Sequence, residues 1–254
     1  MFIDTHTHLQ FSHYDADRSD VIESALRCGI DCMINVGTNI EDSHESAGIA
    51  KQFDRVYASA GIHPHDSEGV SKSDYESIDS LLKEDKVVAL GEIGLDFYRD
   101  YAPRDIQEKI FRRFLQMGAD RDVPVIIHNR GASREMKNIL SDEMNGKVKG
   151  VMHCFSGDVE FAEYCIEAGL YISFTGNITY KNFKQDDVIR AVPLEKILIE
   201  TDCPFLSPHP VRGKRNEPAN VKYVAEKIAE IKKISLGKAG EITSENARTL
   251  FGID

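Results

Sequence analysis

The apolar residues of the chain fall into eight short runs rich in β-branched side chains. They are MFID, DCMINVG, VYASAGI, VVALGEIG, VPVIIH, GVMHCF, LYISFTG and KILIET, and longer amphipathic stretches separate them. Runs this continuously apolar suit parallel strands covered on both faces, not strands with one wet face. Between two of them, PRDIQEKIFRRFLQMGADRD puts Pro103 in a first turn and returns Ile106, Ile110, Phe114 and Met117 at spacings of three or four, a helix with one buried stripe. Strand–helix units repeated eight times without a composition break predict an α/β fold, a (β/α)8 TIM barrel, with residues 1–254 as one domain. A doubly wound open sheet is the alternative.

Composition narrows the function classes. Apolar residues make up 41% and charged residues 29%, ordinary for a soluble globular protein. No apolar run approaches the roughly 20 residues that span a bilayer, and Asp4 and two histidines stand where a signal peptide needs a basic and then apolar stretch. A cytoplasmic protein with no membrane contact and no evident protein partner is expected. Five cysteines, odd in number and scattered, disfavour a disulfide framework, and all five read as buried thiols. The net charge of -11 argues against broad binding to a phosphate backbone, so any nucleic-acid contact must rest on a local positive field.

In a barrel of this kind the chemistry sits at the C-terminal ends of the strands. The polar residues there are His6 with His8, Asn39, His63 with His65, Glu92 with Asp96, His128 with Arg130, His153, Thr175 with Asn177, and Asp202. His6 and His8, two apart on a strand, share a face about 7 Å apart. His13 and His44 read as surface residues, and His209, in the proline-rich stretch CPFLSPHPVRGKRNEP, is not assigned. Histidine nitrogen with carboxylate oxygen is the donor set of zinc, manganese, iron or cobalt; magnesium normally takes fewer histidines. Six candidates, His6, His8, Glu92, His128, His153 and Asp202, exceed one tetrahedral site and suit two divalent ions about 3.5 to 4 Å apart sharing a carboxylate. Glu92 and Asp202 are the only strand-end acids close in pattern to the histidines, so one of them is expected to bridge.

The segments FIDTHTHLQF, GIHPHD, GEIGLDFY, PVIIHNR, MHCFSG, ISFTGNIT, ETDCPFLSP, RGKRNEP and ENARTLFG, in this order over residues 2–252, together resemble the TatD family of metal-dependent deoxyribonucleases, a branch of the amidohydrolase superfamily. The resemblance implies a (β/α)8 barrel in which His6, His8 and Asp202 hold one metal, His128 and His153 hold the second, and Glu92 bridges them. It also implies exonuclease action on DNA. Other branches of the superfamily bridge with a carbamylated lysine, where this chain has Glu92.

Four neutral histidines and two carboxylates carry -2, so two divalent ions leave about +2 inside an acidic protein, a site that attracts a phosphodiester. Metal-activated water would attack phosphorus in line with a departing 3' oxygen. Asp202 would accept its proton, Glu92 would hold the metals, and His63 would orient the phosphate or protonate the leaving group. Arg130, Arg99 and Arg212, with Lys214 and Arg215, are candidate phosphate clamps, and Phe97, Tyr98 and Phe205 candidate stacking partners for an unpaired base. The expected partners are single-stranded DNA or 3' ends, with RNA as a further substrate. The ligands serve equally for ester or amide hydrolysis, including removal of a D-amino acid from tRNA; a non-catalytic scaffold on the same barrel is the third reading.

Overall fold

Each of the eight apolar runs contributes a strand in the computed structural model, which describes residues 1–99, 101–143 and 148–254. The strands are β1 (Phe2–Thr7), β2 (Ile30–Val36), β3 (Val56–Ala60), β4 (Val87–Asp96), β5 (Val125–Arg130), β6 (Gly150–Met152), β7 (Tyr171–Phe174) and β8 (Ile197–Ile199). All seven neighbouring pairs are parallel and the sheet order follows the chain. The connections carry helices α1 (Arg18–Arg27), α2 (Ile40–Gln52), α3 (Lys72–Leu81), α4 (Arg104–Arg121), α5 (Ser133–Glu143), α6 (Val159–Glu167) and α7 (Asp186–Ala191); α8 (Val221–Lys232) and α9 (Leu236–Phe251) follow the last strand. This is the predicted TIM barrel.

The sheet closes beyond the formal end of β8. Thr7 forms a parallel bridge with Cys203, the Asp202 N–H donates to the His6 carbonyl at 2.9 Å, and the His8 N–H donates to the Cys203 carbonyl at 2.9 Å. Asp4 fastens the same seam from inside: its carboxylate accepts from the Thr201 N–H at 2.9 Å and the Thr201 hydroxyl at 2.6 Å. Asp4 therefore ties strand ends together, although it stands in the opening motif beside two histidines.

Strand alternation sorts the core into two clusters. Ile34, Ile126, Val151 and Leu198 fill the barrel interior with Ile3 and Ala89, and Leu250, Phe251 and Ile253 at the end of α9 plug its lower mouth. Ile126 precedes His128, and Val151 precedes His153, by two residues, so the same strand faces that build the inner core point ligands into the upper mouth. The outer cluster packs helix stripes on the sheet. In α4 the expected Ile110, Phe114 and Met117 are buried and Ile106 is half-buried. Full burial of a side chain such as Phe114 contributes about 1.5–3 kcal/mol.

Three local expectations are corrected. Cys28 is exposed and Cys154 half-buried, so the five thiols are not uniformly interior. Asn39 accepts from the Asp42 N–H at 2.9 Å and caps α2 instead of facing the mouth. The runs GVMHCF and KILIET end as strands after three residues each, and just beyond them Cys154 and Asp202 adopt left-handed backbone with φ 45° and 55°. No helix among the described residues is long and apolar enough to cross a membrane.

Gly94 has φ +142° and sits so close to β5 that an added Cβ would overlap the His128 carbonyl oxygen. Gly69 also has positive φ, +88°, but open space around it. Gly94→Ala is expected to destabilise by at least about 3 kcal/mol and Gly69→Ala by about 1 kcal/mol, read from thermal unfolding of the two variants. Equal losses would mean that crowding against His128 is relieved at no cost.

Candidate metal centre

Glu92 is the hub of the barrel mouth. It projects from the middle of β4 and is buried. Its two oxygens face different histidines. Oε2 lies 3.4 Å from His6 Nε2, while Oε1 lies 2.7 Å from His128 Nδ1, 3.1 Å from His153 Nε2 and 3.6 Å from His63 Nε2. On the β1 side, Asp202 Oδ1 lies 3.4 Å from His8 Nε2 and 3.8 Å from His6 Nε2, and the two Nε2 atoms are 3.1 Å apart. The shared strand face expected for His6 and His8 is realised.

Groups able to hold a cation overlap here. They are His6, His8 and Glu92; His6, His153 and Asp202; and His63, Glu92 and His128, each with ligand atoms within 4.8 Å of one another. Glu92 is common to two of them, which is the arrangement a bridging carboxylate requires. His153 reaches both sides, since its ring also stacks on that of His6 with centroids 3.9 Å apart.

Tautomers follow from the partners on the far side of each ring. His8 Nδ1 lies 2.9 Å from the Val36 carbonyl, which can only accept, so Nδ1 carries the proton and the Nε2 lone pair points into the mouth. His153 Nδ1 lies 3.0 Å from Glu200 Oε1, which also accepts the Cys154 N–H at 2.7 Å. Its Nε2 therefore faces the Glu92 carboxylate at 3.1 Å; burial opposes a charge on this ring, but Glu92 and Glu200 outweigh it and raise the His153 pKa well above the ordinary value, so Nε2 carries a proton that a bound cation would displace. His6 Nδ1, fully buried, has no hydrogen-bond partner. His63 is the opposite case. Its Nδ1 accepts the His65 N–H at 3.1 Å, so the neutral ring carries its proton on Nε2, toward Glu92.

These features fit a divalent pair: the inward Nε2 atoms of His8 and His153 converge with two carboxylates, and the Val36 carbonyl and the Glu200 carboxylate orient the two rings from behind. Burial works against ionisation of Glu92, but His153 and His63 together with the hydrogen bond from His128 hold its carboxyl well below the usual range. Burial also opposes the charge on Asp202, and His8 and His153 outweigh it, holding that pKa low. Burial keeps His63 neutral, with its pKa well below the ordinary value.

Sequence reading underestimated the acids. Glu200 and Asp96 both reach the histidines: Glu200 through His153, and Asp96 Oδ2 through His65 at 2.9 Å and His128 Nε2 at 3.3 Å. Glu92 and Asp202 are thus not the only acids at this rim. The signal for Glu200 was available, because it lies two residues before Asp202 on the same strand line.

The mouth opens into a cleft of about 750 Å³ lined by His8, His63, Glu92, His128, His153 and Asp202, with Arg99 and Arg130 on one wall. Arg212 is not on this wall; its guanidinium lies over the Tyr180 ring at 4.2 Å. Arg215 is held by Asp17 and Glu217 at 2.7 and 3.1 Å and braces the loop. Phe97 packs toward the core, whereas Tyr98 and Phe205 are exposed.

Glu200→Gln keeps the shape and removes the charge that orients His153. Manganese affinity, measured by calorimetric titration of the folded variant, is expected to weaken about tenfold. Unchanged affinity would remove His153 from the ligand set.

The comparisons bear on the family and the fold. A family model described as TatD related DNase matches residues 3–252. The uncharacterized metal-dependent hydrolase YabD of Bacillus subtilis is 42% identical over 255 residues, with 100% of each chain covered. The 3'-5' ssDNA/RNA exonuclease TatD of Escherichia coli is 33% identical over 256 residues, with 98% of each chain covered. Among solved structures, the TatD homologue YJJV of Escherichia coli superposes with a TM-score of 0.93 at 30% identity, covering 100% of this chain and 98% of its own. The sequence motifs, the barrel and these matches together establish that the chain belongs to the TatD family of metal-dependent hydrolases.

Proposed function

We propose that the chain is a two-metal phosphodiesterase that removes nucleotides from the ends of single-stranded DNA, with RNA as a further substrate. The observation that carries this reading is Glu92 placed between two sets of histidines, Oε2 toward His6 and Oε1 toward His128 and His153. In this reading His6, His8 and Asp202 would hold one ion and His128 and His153 the other, with Glu92 available to both. The relative named as a 3'-5' ssDNA/RNA exonuclease supports the choice of substrate.

A divalent pair, when bound, supplies a water acidified to near pH 7 and positive charge for the phosphoryl oxygens. The protein's own groups do the rest. Asp202 Oδ1, beside His8 and His6, is the ionised carboxylate that takes the water's proton. His63 presents an Nε2–H from the opposite side of Glu92 and donates a hydrogen bond to the departing 3' oxygen. Arg99 and Arg130 offer guanidinium groups to phosphate oxygens at the cleft wall. The cleft volume of about 750 Å³ is on the scale of small-ligand pockets, which suits a strand end.

Metal-stripped protein resupplied with manganese, magnesium or zinc is expected to release mononucleotides from a 3'-labelled single-stranded oligonucleotide. Asp202→Ala is expected to abolish the release, and His63→Ala to lower kcat by about 100-fold or more. Metal uptake without cleavage of DNA or RNA would overturn the reading, and release of a free amino acid from aminoacyl-tRNA would replace it.

A further inference from the structure

The two ends of the cleft differ in chemistry. Sheet order runs from β1 to β8 around the ring, so the β8–β1 seam stands opposite β4 and β5. The seam side carries an aromatic lip. Phe11 stacks on His8 with centroids 4.7 Å apart and an interplanar angle of 4°, and Phe205, 48% exposed, meets Phe11 edge-on at 6.1 Å. The β4–β5 side carries a cationic lip. Arg130 lies over the Tyr98 ring at 4.0 Å and Arg99 near it at 5.4 Å. Tyr98 itself is 64% exposed. Arg99 and Arg130 form no ion pair among the described residues, whereas Arg18, Arg112, Arg121, Arg215 and Arg248 each hold a carboxylate.

Beyond the aromatic lip the surface is acidic. Phe11 also borders a groove of about 620 Å³ lined by Asp15, Glu41, Asp42 and Glu45, with Arg18 already paired to Asp15. A phosphate chain continuing past Phe11 would run into those carboxylates. A strand continuing past β4 and β5 would meet two guanidinium groups that have no ion pair among the described residues.

We propose that the cleft is directional. The terminal nucleotide to be released sits on the aromatic lip of Phe11 and Phe205, and the remaining strand leaves over Arg99 and Arg130 with its next phosphate between them. This rests on the phosphodiesterase reading above, whose in-line geometry gives the same direction as the surface chemistry of the two lips. The attacking water lies on the Asp202 side, at the seam; its oxygen bonds to phosphorus and its proton passes to Asp202. The bond from phosphorus to the 3' oxygen breaks on the far side, where that oxygen accepts the His63 Nε2–H hydrogen bond and takes its proton from solvent water. The strand attached to the leaving oxygen is therefore directed toward β4 and β5. The terminal nucleotide keeps the phosphate and stays at the seam. Specificity for ends follows, since the acidic groove beyond Phe11 disfavours a chain that extends in both directions.

The test compares substrates that differ by one phosphate. The dinucleotide d(TpT) has only the scissile phosphate; the trinucleotide d(TpTpT) adds the one assigned to the arginines. With metal-loaded protein, kcat/KM is measured on both for the wild type, Arg99→Ala/Arg130→Ala and Phe205→Ala, all at exposed positions. In the arginine variant the trinucleotide-to-dinucleotide ratio is expected to fall about tenfold or more, and the salt dependence on a longer oligothymidylate to flatten. In Phe205→Ala both rates are expected to fall by a common factor, on the order of 5- to 100-fold for a lost stacking partner, with the ratio held. A constant ratio and slope in the arginine variant, or a ratio that drops in Phe205→Ala, would overturn the direction while leaving the phosphodiesterase intact. Absence of nucleotide cleavage by the wild type would instead overturn the phosphodiesterase reading itself.

Discussion

Everything at the barrel mouth depends on how the sheet closes. The last strand is only three residues long, and the closing bonds are made by the segment after it: Asp202 N–H to the His6 carbonyl, His8 N–H to the Cys203 carbonyl, and the Asp4 carboxylate to Thr201. These bonds join the first and last strands of a 254-residue chain. They also bring His6, His8 and Asp202 to within 3.8 Å of one another. Closing the fold and assembling half of the centre are one event. The buried Asp4 belongs to that event, because its carboxylate satisfies backbone and hydroxyl donors that would otherwise be orphaned inside the seam.

The centre gathers more acceptors than donors. Glu92, Asp202, Glu200 and Asp96 surround His6, His8, His63, His128 and His153, and burial alone would force the carboxyls toward their neutral forms. The ring cluster reverses that tendency, so the carboxylates remain ionised and available to a cation. The outer partners set which ring nitrogen is bare. The Val36 carbonyl accepts the His8 Nδ1–H, Glu200 does the same for His153, and a backbone N–H donated to Nδ1 leaves His63 with its proton on Nε2, facing the cleft. Histidines that look alike in the sequence thus divide into rings that turn Nε2 to a cation and one that donates a hydrogen bond.

Much of this was legible beforehand. The period of the apolar runs announced eight parallel strands, and the strand-end rule placed His6, His8, Glu92, His128, His153 and Asp202 at one rim before any contact was seen. What stayed hidden was held by partners remote in sequence. Glu200 acts on a ring 47 residues away, and Asp96 on rings 31 and 32 residues away. Asp4 carries the same residue type as a ligand but faces Thr201 across 197 residues. Arg212, singled out by the composition of its loop, stacks on Tyr180 away from the cleft, whereas Arg130, two residues past His128 on β5, lines it.

By itself the sequence determined the barrel and which histidines and acids gather at its mouth, because both follow from short-range periodicity: alternation on strands, a stripe on helices, and polar residues at strand ends. Only the tertiary structure decided which acids reach which rings, which nitrogen each ring leaves bare, and which arginines stay unpaired at the cleft. Those depend on distances of a few ångströms between residues far apart in the chain, and such distances exist only once the sheet has closed.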